Sequence, residues 1–223
     1  MEKITVTKIK ICGNTNPEDA VLAAKLGADY LGLIFAESKR KIDIDTAKQI
    51  IAAVPNFKNF VGVFMNQPKQ EVLEIAEATG IRILQFHGDE PSLYCQSFTD
   101  KSYQVIKTFR IKDAMSLKRM DEYNGFAFLF DTFVKEEGGG SGKVFDWNLI
   151  ENKPFVHDML FLAGGLNPEN VKAAIEKIHP YAVDVASGIE SAPGKKDPEK
   201  LKRFIQTVKE AGLSHAQKPS IRS

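Results

Sequence analysis

Cysteine is scarce in this chain: of 223 residues, only Cys12 and Cys95 carry thiols. Two distant cysteines make no disulfide framework and offer no metal-ligand spacing, so a disulfide-stapled secreted module and a zinc-ribbon site are both excluded. A surplus of one charge sign is also missing, since 30 Lys and Arg stand against 29 Asp and Glu. The basic residues are spread along the chain, so neither a nucleic-acid groove nor an anionic membrane surface is expected as a partner. No apolar run reaches the ~20 residues that would span a bilayer. The opening MEKITVTKIK lacks the apolar core of a signal peptide. A cytoplasmic protein is the expectation. What is present is ordinary globular composition, 43% hydrophobic and 26% charged, in a chain long enough for one large domain with a sizeable core.

Eight short runs rich in Val, Ile, Phe and Tyr recur along the chain, at 6–12, 29–35, 59–65, 82–87, 103–109, 126–131, 159–164 and 181–187. They read as strands. Helical patterns lie between them. NPEDAVLAAKLGA has Asn16 placed to cap, Pro17 at the first helical position and Gly27 as a stop. QPKQEVLEIAEATG and LNPENVKAAIEKI repeat that pattern, and KDPEKLKRFIQTVKEAG closes the series. Strand–helix alternation implies parallel strands joined by crossovers. Eight units predict a closed (β/α)8 TIM barrel as a single α/β domain over residues 1–212, with a doubly wound open sheet as the rival. Residues 213–223 lack apolar periodicity and are expected to form a flexible tail. The glycine-rich KEEGGGSGKV (135–144) follows the sixth strand without breaking the rhythm, so it reads as a mobile loop rather than a domain linker.

In such a barrel the C-terminal strand ends form the active-site face. Cys12 closes strand one, Arg40 follows strand two, His87 closes strand four and Asp131 closes strand six. Gly164 and Gly165 close strand seven, and Ser187 and Gly188 close strand eight. Glycine loops at these last two ends point to a phosphate held by backbone N–H groups and a helix dipole; the plainer reading is tight turns. Cys12 is either a small core hydrophobe or, if its thiolate is favoured, a base. Asp131, beside apolar FLF, is either a loop cap or a partly desolvated carboxyl whose pKa rises into the range of a general acid. Arg40 sits in a basic turn that either stays solvated or grips a carboxylate with two hydrogen bonds. His87 shares an inward face with Gln85 and either orients substrate or is structural. Lys10 has the parity of Cys12 and matches Asp184 in depth, which predicts a buried pair, because either charge alone inside would be costly. Asp146, before Trp147, reads as a helix cap.

KICG with Asn14-Thr15, GADYLGLIFAESKRKI, LQFHGDE, FLFDTF, GGGSGKVFDW, LAGGLNPENV and VDVASGIESAPGKKD occur in this order and in register with the strands. Together they resemble phosphoribosylanthranilate isomerase of tryptophan biosynthesis, from about Lys8 to Phe204. The departures are Phe86 where the family usually has Leu, Lys39 for Pro, and Ala186 for Ser. The last would remove one hydroxyl near the phosphate. The resemblance implies a cofactor-free Amadori rearrangement of a small phosphosugar, with Asp131 as acid and Cys12 as base. It also implies Arg40 on the anthranilate carboxylate, and Gly139, Gly140 and Gly142 among the phosphate donors. Two rivals remain. One is an indole-glycerol-phosphate synthase reaction, which would need a lysine acid at a strand end. The other is a non-catalytic barrel that binds phosphorylated metabolites. Oligomeric state, monomer or homodimer, is not legible.

Overall fold

In the computed structural model, residues 6–111, 113–123, 126–132, 147–150 and 160–216 are described. Eight strands close into a barrel in chain order: β1 (Lys8–Ile11), β2 (Tyr30–Ile34), β3 (Phe60–Phe64), β4 (Ile83–Phe86), β5 (Gln104–Ile111), β6 (Ala127–Thr132), β7 (Leu160–Leu162) and β8 (Ala182–Val185). Every neighbouring pair is parallel, and β1 pairs with β8 to complete the ring. This is the (β/α)8 TIM barrel, and the open-sheet rival is excluded by the β1–β8 closure.

Among the described residues, the α-helices around it are α1 (Pro17–Leu26), α2 (Ile44–Ala53), α3 (Lys69–Thr79), α4 (Ser92–Thr99), α5 (Ala114–Lys118), α6 (Val171–Ile178) and α7 (Pro198–Ala216). The first obeys its local signals. Asn16 accepts from the Asp19 backbone N–H, Pro17 opens the helix, and Gly27 closes it at φ 104°. The start of α6 departs from the repeated pattern. Asn167 caps a separate turn, taking the N–H groups of Glu169 and Asn170, and the helix begins only at Val171. The Asn side chain offers the backbone a turn in place of the helix. The last helix runs on to Ala216, so residues 213–216, expected as tail, continue it. Adding turns to an established helix needs no new nucleus.

Two apolar layers follow from strand alternation. One set of side chains, including Ile9, Ile11, Phe64 and Phe86, faces outward against the helices. The other fills the lumen, with Val61, Val63, Ile83, Ile106, Leu129 and Phe161 around Cys12. At the N-terminal floor, Tyr30 and Tyr181 share a hydrogen bond of 2.8 Å and both pack edge-on against Phe161. A hollow of about 220 Å³ lies beside them, lined by Ile83, Ile106 and Ala127 among others. Above that floor, Lys10 and Asp184 are register partners on β1 and β8 and meet at 2.9 Å, both buried. A third apolar-enclosed charge, Lys107, gives hydrogen bonds to the carbonyls of Phe86, Gly88 and Thr108 and to Glu90. It ties β5 to the loops after β3 and β4, because Glu90 also takes the backbone N–H groups of Asn66 and Gly88.

After β8 the chain makes a single 3-10 turn, Ser187–Ile189, then an antiparallel hairpin of β9 (Glu190–Ala192) and β10 (Lys195–Lys196). The hairpin is held to the barrel through Thr15, which donates to the Gly194 carbonyl, and through Asp19, which accepts from the Lys196 N–H at 2.7 Å. Gly194 has φ 81° at the tip, where a side chain would be strained. Among the described residues, no helix is long and apolar enough to cross a membrane.

Candidate active site

The C-terminal ends of the strands surround a cavity of about 370 Å³. Cys12, Arg40, His87 and Asp131 all line it, as do Gly164, Gly165 and Ser187. Residues scattered over 176 positions of sequence thus share one space. Gly188 does not line the cavity. It sits where the loop after β8 crosses the loop after β7, and a Cβ there would stand 1.9 Å from the Leu166 carbonyl oxygen. Its smallness lets the two loops touch. Gly139, Gly140, Gly142 and Asp146, with the rest of 135–144, lie outside the described residues.

Cys12 is held at the end of β1 by a backbone hydrogen bond from its N–H to the Val185 carbonyl, 2.8 Å. Burial pushes its thiol above the ordinary 9.0, and the nearby Lys10 ammonium pulls it back only in part. The thiol is therefore neutral at pH 7. Lys10 behaves in the opposite sense. Burial alone would lower its pKa, but Asp184 and Cys12 more than offset this, and it lies above 10.5.

Across the mouth, Asp131 is register partner to Arg110 on β5 and faces His87, with 3.4 Å between Oδ2 and the ring Nε2. The other ring nitrogen, Nδ1, is 3.2 Å from Gln85 Nε2, which also donates to Thr108 Oγ1 at 3.2 Å. With the Gln85 amide in this orientation Nδ1 is the acceptor, and a neutral His87 then carries its proton on Nε2, toward Asp131. The inward parity of Gln85 and His87 was legible; the tautomer that Gln85 imposes was not.

Arg40 reaches the cavity, but its guanidinium is already gripped. Nε and Nη2 make a fork with Glu190, at 2.8 and 2.7 Å. Glu190 in turn takes Lys196 Nζ at 3.0 Å, and Lys196 also donates to the Cys12 carbonyl at 2.6 Å. Neither Glu190 nor Lys196 is singled out in the sequence as a site residue. Arg110, Met65 and Glu37 also line the cavity unforeseen. The loop after β7 holds Gly164 and Gly165 at φ 88° and 68°, with the Gly165 carbonyl accepting from Asn170 Nδ2 at 2.9 Å. Two successive left-handed residues curl the backbone around the cavity edge, a form that aims N–H groups at an anion. Among the described residues, no group of three His, Cys, Asp or Glu side chains is arranged to hold a metal ion.

A family model described as N-(5'phosphoribosyl)anthranilate (PRA) isomerase matches residues 9–207. The chain belongs to the phosphoribosylanthranilate isomerase family. A curated N-(5'-phosphoribosyl)anthranilate isomerase from Pelobacter propionicus is 43% identical over 204 residues, covering 91% of this chain and 96% of its own. A crystal structure of monomers generated from the dimeric phosphoribosylanthranilate isomerase of Thermotoga maritima is 38% identical, with a TM-score of 0.80, covering 92% of this chain and 99% of its own. A phosphoribosylanthranilate isomerase crystallised with reduced 1-(o-carboxyphenylamino)-1-deoxyribulose 5-phosphate has the same identity, TM-score and coverage. This member of the phosphoribosylanthranilate isomerase family is accordingly an enzyme, an isomerase of tryptophan biosynthesis.

Proposed function

We propose that this cavity carries out the Amadori rearrangement of N-(5-phospho-β-D-ribosyl)anthranilate to 1-(2-carboxyphenylamino)-1-deoxy-D-ribulose 5-phosphate. Asp131 gives a proton to the furanose oxygen, the ring C1–O bond breaks, and the aryl nitrogen's lone pair forms a protonated imine at C1. That cation acidifies the C2 proton. Cys12, as thiolate, removes it, and the electron pair moves into the C1–C2 bond to give an enolamine. Loss of the 2-hydroxyl proton and protonation at C1 complete the ketose. The resting thiol is neutral; it gives its proton to solvent before acting, and the adjacent imine cation stabilises the resulting thiolate. Each of the two groups is expected to contribute roughly 10²–10⁴-fold.

Arg40 takes the anthranilate carboxylate, with the ring against Ile34, Val63 and Met65 of the cavity wall. Gly164, Gly165, Ser187 and the glycines 139, 140 and 142 take the phosphate, with Gly188 holding two of these loops together. Ala186 leaves that work to Ser187 and backbone N–H groups. Monomer and homodimer both suit this reading. The observation that carries it is the convergence of Cys12 and Asp131 on one cavity that also includes Gly164 and Gly165 after β7 and Ser187 after β8. An indole-glycerol-phosphate synthase chemistry is disfavoured. The barrel-strand lysines Lys10 and Lys107 are buried and paired to Asp184 and Glu90 rather than presented to the cavity. The test is turnover of the anthranilate ribosyl phosphate by wild type, Cys12→Ser and Asp131→Asn. Large losses of kcat in both are expected; near-full kcat in both overturns the mechanism, and binding without turnover in the wild type overturns the activity.

A further inference from the structure

The wall behind Cys12 contains one carboxylate and two cations. Glu190 is nearly enclosed and Lys196 wholly so, with side-chain exposures of 4% and 0%, while Arg40 keeps 22%. Lys196 spends its donors on Glu190 Oε1 and the Cys12 carbonyl. Glu190 answers both cations at once, Lys196 through Oε1 and Arg40 through both oxygens. The neighbouring Lys10–Asp184 pair balances itself, and the Cys12 thiol is neutral. The cluster therefore carries one positive charge in excess. Lys196 cannot present it to the cavity, and Arg40 does. A fork on Nε and Nη2 also fixes the guanidinium plane, because two parallel hydrogen bonds allow a single orientation. The Arg40 stem is pressed along Gly13, where a Cβ would fall 2.6 Å from its Cδ. The free direction left to Arg40 is the cavity.

We propose that Glu190 is a positioning residue for acid specificity: it fixes the guanidinium of Arg40, which carries the cluster's one unbalanced positive charge, toward the cavity, so the cavity favours an arylamine bearing a carboxylate over its uncharged counterpart. This rests on the reading of Arg40 given above. Holding a guanidinium ahead of binding lowers the ordering cost paid when the anion arrives. A merely structural role, hairpin to barrel, would change stability without changing the choice between two ligands.

The experiment measures calorimetric Kd values for two probes on the full chain. One is the reduced product analogue, 1-(2-carboxyphenylamino)-1-deoxy-ribitol 5-phosphate; the other is the same molecule with hydrogen for the carboxylate. Wild type should prefer the carboxylate probe by about 10–100-fold, the scale of charge-assisted hydrogen bonds. Arg40→Met should abolish the preference. Glu190→Gln/Lys196→Met, which frees Arg40 while keeping the cluster at one positive charge in excess, should reduce it to within about threefold while the uncharged probe is held nearly as before, and its kinetic loss should fall on KM rather than kcat. Glu190→Gln alone also frees Arg40 but leaves a further positive charge, so a fall of the preference in it shows orientation outweighing charge. If Arg40→Met abolishes the preference but both Glu190 variants keep the wild-type ratio, the positioning role is overturned and the Arg40 reading stands. If Arg40→Met keeps the ratio, the Arg40 reading itself falls.

Discussion

The sulfur of Cys12 occupies the space that a side chain at position 32 would need: an ideal Cβ built on Gly32 lies 2.6 Å from Sγ and 3.1 Å from the Cys12 Cα. Gly32 is in the middle of β2, where glycine weakens a strand and is retained where another group approaches closely. The proposed base is therefore seated by the neighbouring strand's lack of a side chain.

Gly32→Ala should cost about 1–3 kcal/mol of stability through overpacking, and lower kcat by displacing Sγ. Adding Cys12→Ala to it should recover most of the stability and none of the activity. Thermal unfolding and turnover of wild type and these two variants check this; full activity in Gly32→Ala would show that the sulfur has room to spare.

The Lys10–Asp184 pair should behave as a buried ion pair broken on one side. Asp184→Asn leaves an ammonium in the lumen and should cost roughly 3–5 kcal/mol. The pair also sets a pH dependence. Lys10 binds its proton more tightly folded than unfolded, since its pKa lies above 10.5. Its contribution is thus complete below the unfolded value and is lost as pH rises through the folded one. Urea unfolding between pH 9 and 12 should show a decline that sets in above about 10.5 and is weaker in a Lys10→Met/Asp184→Leu double variant.

The raised thiol pKa of Cys12 predicts an alkaline-rising profile for kcat/KM, which reports the free enzyme. The rise should continue past 9.0, the ordinary thiol value used for comparison. Lys10→Met, which removes a cation that favours the thiolate, should move the rise to still higher pH. A profile flat from pH 6 to 10 would contradict a buried neutral thiol as the base.

Gln85 should matter through His87. In Gln85→Leu the ring loses the donor on Nδ1, so the proton is no longer confined to Nε2, and kcat should fall by up to about tenfold, one neutral hydrogen bond's worth. Stability should change little, because the Gln85 Oε1 is buried without a partner in the native protein. Imidazole ¹⁵N shifts provide the direct reading: a pure Nε2–H tautomer in the wild type and a mixture in the variant.

These features differ in how far the sequence revealed them. Asn16, Pro17 and Gly27 announce α1 because capping is decided within a few residues. The eight strands and the inward parity of Lys10, Cys12, Gln85 and His87 follow from period-two alternation. Strand ends then name Cys12, Asp131 and Ser187 once the barrel is accepted. The Arg40–Glu190 fork is different in kind. Its partners are 150 residues apart and meet because a hairpin beyond β8 folds back over β1 and β2. Nothing in SKRKI or GIESAPGKKD marks either charge as buried. Lys107 and Glu90 are hidden for the same reason: a lysine in YQVIKTF looks like an exposed strand residue until three carbonyls converge on it.

The tyrosine-and-phenylalanine floor gives this barrel a division of labour. Tyr30, Tyr181 and Phe161 seal the end opposite the chemistry, with unfilled space beside them. Bulkier side chains introduced there would raise heat resistance without reaching the reacting atoms. For anyone refashioning this enzyme, durability and substrate choice are two separate dials, set at opposite ends of the same eight strands.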